Sequence, residues 1–126
     1  MKYKTIELDG PLLDAAVAQT LGLRYVLART MMDIPGPYRC TLLDTGELFG
    51  PSRRWSDGGP IIEREKITLL WREHNGMMET GYWAAMKDAD LLQPGSGLWM
   101  VSPSLLVAAM LAFVVAKLGA EIEMPS

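Results

Sequence analysis

The longest uncharged stretch of the chain constrains its fold more than any other feature. No charged residue occurs between positions 97 and 116, and a stretch of this length approaches what a helix needs to cross a bilayer. A Ser-Pro-Ser segment at 102–104 interrupts it, so that only residues 105–116 are strongly apolar. An apolar run this short is typical of a buried core helix. We therefore expect a buried core helix here and no membrane association.

The composition indicates one globular domain, expected to span residues 1–126. Of 126 residues, 49% are hydrophobic and 21% are charged, which suits a chain that buries its own core. The net charge of −3 gives no general attraction to duplex nucleic acid or to anionic membranes. Cys40 is the single cysteine, so we expect neither an internal disulfide nor a zinc site, and no cofactor is predicted. These features, with an opening segment unlike a signal peptide, favour the cytoplasm.

Capping signals predict a helix near each end of the chain. Asp9 can accept hydrogen bonds from free amides and Pro11 suits a first turn, so one helix is predicted from here to Gly22. A second helix is predicted to begin at the Ser-Pro of positions 102–103 and to end at Gly119.

The strongest strand signal lies in the middle of the chain. Residues 67–73 and 78–86 are rich in β-forming side chains and flank Asn75-Gly76, the dipeptide most typical of a two-residue hairpin turn. We therefore predict that these two segments pair as an antiparallel hairpin closed by that turn.

Weaker signals complete the predicted architecture. Short strands are predicted on either side of a turn at 44–47, and an edge strand is predicted at 120–124. A short helix is predicted to start or continue at Pro60, while residues 24–30 suit either a helix or a strand. The resulting prediction is an α+β fold in which an antiparallel sheet with a β-hairpin packs against the N-terminal and C-terminal helices.

Two segments carry a resemblance to a known family. They are Trp-Ser-Asp-Gly-Gly-Pro-Ile-Ile-Glu-Arg-Glu at 55–65, here called the middle signature, and Pro-Ser-Leu-Leu-Val-Ala-Ala-Met at 103–110, which runs on to Lys117 and Gly119. Over most of its length the chain resembles the phage NinX-like proteins, a family of unknown function in tailed phages and prophages. The resemblance implies a phage or prophage accessory protein in the bacterial cytoplasm. Its layout is also similar to phage proteins described as α/β/α sandwiches.

The middle signature is the candidate ligand site. Its Gly-Gly-Pro could form a backbone nest whose amides face an anion at a helix N-terminus. Adjacent arginines and a tryptophan would add charge and a stacking surface suited to a nucleotide. The alternative is architectural: the glycines permit a tight entry into the helix and the tryptophan fills the edge of the core. The candidate residues are Arg53, Arg54, Trp55, Asp57, Gly58, Gly59, Glu63 and Arg64.

No motif predicts a catalytic residue. The chain lacks the Gly-Lys-Ser pattern of a phosphate-binding loop. Glu63 and Glu65 diverge on a helix, and His74, the only histidine, falls in the predicted hairpin turn without a partner for a triad. Cys40 is interpreted as a small buried hydrophobe. An enzyme of unrecognised type stays an open alternative.

The closing helix raises the question of self-association, because its apolar residues lie on more than one side. One stripe can pack against the chain's own sheet, and the second needs a cover. That cover is either another copy in a homodimer or other parts of the same chain, if the helix lies centrally. At position 111 the resemblance leads one to expect arginine, whereas this chain has leucine. The candidate interface residues are Val107, Ala108, Leu111 and Val115.

The function expected from these observations is a non-catalytic binding or interaction module. Its expected partner is a nucleotide, another small anionic ligand or a host protein. The alternative is a self-assembling protein–protein adaptor with no ligand site.

Overall fold

The fold is α+β, as predicted. The computed structural model describes residues 1–28, 39–73, 81–87 and 99–124. Its helices are α1 (Gly10–Thr20), α2 (Trp55–Glu65) and α3 (Leu105–Leu118), and a short 3-10 turn covers Thr5–Glu7. Its strands are β1 (Lys2–Lys4), β2 (Tyr25–Ala28), β3 (Arg39–Leu42), β4 (Ile67–Arg72), β5 (Tyr82–Lys87), β6 (Met100–Ser102) and β7 (Glu121–Glu123).

The helix α3 forms the centre of the molecule. It contacts all three strands of the β4–β5–β6 sheet and also contacts α1 and α2. Leu106 and every residue from Ala108 to Val114 are buried, so the helix is covered in every direction around its axis. Among the described helices, none combines the length and apolar character needed to cross a bilayer. The apolar stretch is therefore a core helix, and α3 lies between a sheet and two other helices.

The start of α3 differs from the prediction by two residues. Ser104 is the N-cap, and its side chain accepts a hydrogen bond from the amide of Val107 at 3.3 Å. Ser102 instead ends β6, where it pairs with Trp83, and its hydroxyl accepts a bond from the Ser104 amide at 3.1 Å. The pairing of β6 with β5 therefore delays the start of the helix. The predicted end is confirmed, since Gly119 follows the helix with a positive φ of 89°.

The central hairpin pairing is confirmed at the level of its strands. The strands β4 and β5 are antiparallel, with Ile67 opposite Lys87 and Arg72 opposite Tyr82. An uninterrupted ladder closed at Asn75-Gly76 would instead pair Arg72 with position 79, three residues before its observed partner. The register of the described strands therefore differs from that of a regular two-residue hairpin. Asn75-Gly76 itself, like His74, lies outside the described residues.

Four other local predictions agree with the structure. Asp9 caps α1 by accepting a hydrogen bond from the Gly10 amide at 2.8 Å, and Gly22 follows that helix with a φ of 74°. The ambiguous segment after it contains β2, which pairs with β3. The turn at 44–47 is confirmed by the bond from the Leu42 amide to the Glu47 carbonyl. The predicted edge strand is β7, which pairs with β1.

Candidate functional site

The predicted backbone nest is not present. The sequence predicts a helix that starts or continues at Pro60, with a candidate nest of glycine amides before it, but α2 begins at Trp55 and contains both glycines. The amides of Asp57 and Gly58 donate to the Arg54 carbonyl at 3.1 and 2.9 Å. Neither Gly58 nor Gly59 has the positive φ that such a nest requires. These amides therefore belong to the helix and do not face a ligand.

Gly58 has an architectural role. A β-carbon built on it would lie 2.4 Å from the Pro51 carbonyl oxygen and 2.9 Å from Cδ2 of Leu106. Only glycine lets α2 approach both the preceding loop and α3 so closely. The architectural alternative is thus correct for this residue.

The loop that precedes α2 folds back onto the first turn of the helix. The Gly50 amide donates to Oδ2 of Asp57 at 2.9 Å, and the Gly50 carbonyl accepts bonds from the amides of Arg53 and Arg54 at 2.9 and 2.7 Å. Asp57 therefore anchors the loop. This closure fixes the backbone from which the two arginines project.

The structure brings Arg53, Arg54 and Trp55 together on the surface. Their side chains are solvent-exposed, and Trp55 as a whole residue is 59% exposed, so Trp55 does not fill the edge of the core. A β-carbon at Gly59 would lie only 3.3 Å from Cε3 of Trp55, which places the indole alongside this glycine. The amides of Trp55 and Ser56, the first two of α2, donate to no residue in the described part of the chain. We call these three side chains and two amides the Arg–Trp surface.

Glu63 and Arg64 do not belong to this surface. They lie near the other end of α2, about 12–14 Å from Trp55 along the helix axis at the usual rise per residue. Nε of Arg64 contacts Oε2 of Glu65 at 3.0 Å, and Nζ of Lys117 contacts Oε1 of Glu65 at 3.6 Å. The hydrogen bond from Arg64, followed by the charge of Lys117, lowers the pKa of Glu65. The contact between Glu65 and Lys117 connects the end of α2 to the end of α3.

Asp14 is a residue that the sequence analysis did not single out. It is fully buried in α1, and its Oδ1 accepts a hydrogen bond from the Ser52 amide at 2.8 Å. Its Oδ2 lies 3.8 Å from Nη2 of Arg53 and accepts no hydrogen bond, and the buried hydroxyl of Ser52 also has no partner. Burial raises the pKa of the Asp14 carboxyl, and its polar contacts with Ser52 and the charge of Arg53 oppose that rise. The sequence signal was one acid inside the apolar run at 12–18.

Cys40 is buried in β3, as predicted. Burial, with a smaller contribution from the charge of Asp14, raises the pKa of its thiol to about 12. A thiol in this state is a poor nucleophile near neutral pH. Within the described ranges, no three histidine, cysteine or acidic side chains are grouped as metal ligands would be.

Comparison with known proteins decides the family. Residues 4–117 match the family model described as Bacteriophage P22, NinX. The chain belongs to this NinX family. The match includes the whole middle signature and most of α3, so it confirms the resemblance drawn from the sequence. No curated protein matches the chain. Family membership identifies the chain as a phage accessory protein.

The candidate dimer interface of this NinX-family chain is not a free surface. Ala108 is fully buried and Leu111 is 4% exposed within one copy, while Val107 and Val115 are half-buried. Of the two covers left open by the sequence, the structure shows other parts of the same chain, because the chain's own elements surround α3. Self-association of the chain stays a prediction.

Proposed function

We propose that this NinX-family chain is a non-catalytic binding module of a phage, acting in the host cytoplasm. Its ligand is a nucleotide or a related small anion, bound at the Arg–Trp surface. The proposal is carried by one observation: an exposed tryptophan stands beside two exposed arginines at the open N-terminus of α2.

Each part of this surface suits a different part of a nucleotide. The free amides and the helix dipole at the start of α2 favour negative charge. The guanidinium groups can each donate two hydrogen bonds to a phosphate. The indole face of Trp55 can stack on a base, a contact that contributes about 1–3 kcal/mol in single-stranded nucleic acid complexes.

The neighbouring acids leave the two guanidinium groups largely available. Arg53 and Arg54 lie 3.8 Å from oxygens of Asp14 and Asp57, respectively, beyond hydrogen-bond distance. Among the described residues, the one hydrogen bond from these two groups runs from Nη1 of Arg54 to the Leu48 carbonyl at 3.3 Å. A phosphate that binds these two guanidinium groups therefore has only weak contacts to displace.

The test is a thermal-shift and calorimetric screen of the full chain. Nucleoside triphosphates, cyclic nucleotides, unphosphorylated nucleosides and inorganic phosphate form separate arms. A ligand that binds only the folded state raises the unfolding temperature. We expect nucleotides to give the largest increase, because neither nucleosides nor phosphate engage both the indole and the arginines.

Variants locate the binding. Arg54→Ala and Trp55→Ala should each weaken the nucleotide at least severalfold while circular dichroism shows an unchanged fold. Arg72→Ala, at an exposed arginine at the end of β4, is the matched control and should bind like the wild type. The proposal fails if no arm stabilises the wild type. It also fails if both site variants bind as tightly as the control.

A further inference from the structure

A buried carboxylate lies directly beneath the Arg–Trp surface. Asp14 has no solvent exposure, and one of its oxygens accepts no hydrogen bond. The hydroxyl of Ser52, also buried, is unpartnered as well. Buried polar atoms are nearly always hydrogen-bonded, and an ionised carboxylate without a partner is costly. Asp14 therefore depends on the few charges that surround it.

Arg53 supplies the one cation that pairs with Asp14 in the described part of the chain, at 3.8 Å. The other charged group facing Asp14 is Asp57 from α2, whose negative charge disfavours ionisation of Asp14. From β3, Cys40 stands nearby as a neutral thiol. Ser52 contributes an uncharged hydrogen bond. Within the described part of the chain, Arg53 is thus the one charge that favours the ionised form of Asp14, in addition to the polar contacts from Ser52.

Arg53 also faces solvent, with half of its side chain exposed. The same guanidinium is therefore shared between a buried carboxylate and the surface where an anion would bind. These two demands compete, because a phosphate or sulfate draws the guanidinium outward and away from Asp14.

We propose that Asp14 regulates anion binding at the Arg–Trp surface by competing for Arg53, so that an anion which draws Arg53 away causes Asp14 to take up a proton. This inference rests on the proposed function and names the regulation of the same site. The carboxylate Oδ2 gains the proton from solvent, and no covalent bond is formed or broken elsewhere.

The linkage has a definite sign. Burial already raises the pKa of Asp14, and the charge of Arg53 is one of the forces that lower it. Losing Arg53 to an anion therefore raises the pKa further. Since binding then consumes a proton, anion affinity increases as pH falls, by at most about tenfold per pH unit for one proton.

The experiment uses sulfate, because it keeps two negative charges between pH 5.5 and 7.5. Calorimetric titrations in buffers of different ionisation enthalpy measure both the affinity and the protons taken up. We expect the wild type to bind sulfate severalfold more tightly at pH 5.5 than at pH 7.5, with proton uptake. Asp14→Asn keeps an acceptor for the Ser52 amide and should bind tightly at both pH values, without uptake.

Two comparisons exclude simpler causes. Asp44→Asn makes the same charge change at an exposed carboxylate paired with Arg24 and should retain the pH dependence of the wild type. The only histidine, His74, is present in all variants and cannot account for a difference between them.

A second measurement needs no anion. The ¹³C shift of the Asp14 carboxyl, followed through pH, should report a higher pKa in Arg53→Gln than in the wild type.

The outcomes separate the two proposals. If wild type and Asp14→Asn bind sulfate with the same pH dependence, the regulation is overturned and the anion surface stands. If no variant binds sulfate at either pH, the anion surface is refuted and the regulation falls with it. If the pKa of Asp14 is the same in Arg53→Gln as in the wild type, the competition for Arg53 is overturned, regardless of the sulfate titrations.

Discussion

The carbonyl oxygen of Pro51 occupies the space that a β-carbon on Gly58 would need. The separation between that oxygen and such a β-carbon would be 2.4 Å, well inside van der Waals contact. The first turn of α2, the loop before it and α3 therefore meet at a position where only glycine fits.

Gly58→Ala should destabilise the protein by about 1–3 kcal/mol, because backbone atoms must move to admit the methyl group. Gly59→Ala is the matched control in the same helix. There the nearest atom belongs to the exposed Trp55 ring at 3.3 Å, which can move, and alanine favours a helix by about 0.5–1 kcal/mol over glycine. Urea unfolding of both variants checks this. Equal stabilities would contradict the assigned role of Gly58.

Gly81→Ala should displace the ring of Trp71. A β-carbon at Gly81 would lie 2.1 Å from Cζ2 of Trp71 and 2.7 Å from the Arg72 carbonyl oxygen. Trp71 packs edge-to-face on Trp83, with ring centroids 5.2 Å apart, so near-ultraviolet circular dichroism should change along with stability. In a Trp71→Ala background the cost of Gly81→Ala should shrink but not vanish, since the Arg72 carbonyl remains. Identical costs in both backgrounds would show that the ring is not the obstacle.

Leu111→Ala should cost about 2–5 kcal/mol, the usual range for a buried leucine. Leu118→Ala, in the last turn of the same helix where the side chain is 39% exposed, should cost much less. Chemical denaturation measures both. The family resemblance suggests that position 111 is solvent-exposed. A negligible effect of Leu111→Ala on stability would support solvent exposure and contradict the buried position in the structure.

The stability of the wild type relative to Asp14→Asn should fall as pH rises. Burial raises the pKa of Asp14 from its ordinary value of 3.8, so the folded chain holds this proton more tightly than the unfolded chain. The contribution of Asp14 is therefore complete below pH 3.8 and is lost as pH rises through the raised pKa. Urea unfolding of both proteins across this range tests the sign, with Asp44→Asn as the control for removing a negative charge. If the stability of the wild type relative to Asp14→Asn rose with pH, the raised pKa of Asp14 would be contradicted.

Cys40 should resist thiol reagents until the protein unfolds. Its pKa is raised from 9.0 to about 12, so at pH 8 the thiolate fraction falls about a thousandfold. The control is Cys40→Ala combined with Thr45→Cys, which places a cysteine in the exposed turn at 44–47. That cysteine should react within the mixing time of a manual assay, whereas native Cys40 should react at the rate of opening. Rapid labelling of the native wild type would contradict the buried placement.

Local chemistry explains the features that the sequence predicted correctly. Asp9 capping α1 and the left-handed Gly22 and Gly119 depend on short-range hydrogen bonds and dihedral preferences. The pairing of β4 with β5 follows from β-rich segments separated by a short connection. The clustering of Arg53, Arg54 and Trp55 was predictable because the three are consecutive.

Tertiary contacts decided the features that it missed. Gly58 resembles a helix breaker in sequence, yet it lies inside α2, at a position where the Pro51 carbonyl leaves no room for a side chain. Ser102 is the cap predicted from sequence, but its pairing with Trp83 places it in β6, and Ser104 caps α3 instead. Asp14 approaches Arg53 only when α1 and the loop before α2 come together, at a separation of 38 residues between Asp14 and its bonded partner Ser52. A local sequence pattern cannot predict a contact between residues so far apart in the chain.

The central position of α3 has a consequence for synthesis on the ribosome. The apolar side of α1 and the strand β1 meet their partners in α3 and β7, which lie in residues 105–123 and therefore emerge late. Until then, the N-terminal helix has no completed core to join, and its apolar residues stay available to chaperones and to other nascent chains. Contacts this distant in sequence also slow folding. We therefore expect the core to form only once α3 and β7 have emerged, rather than progressively from the first helix.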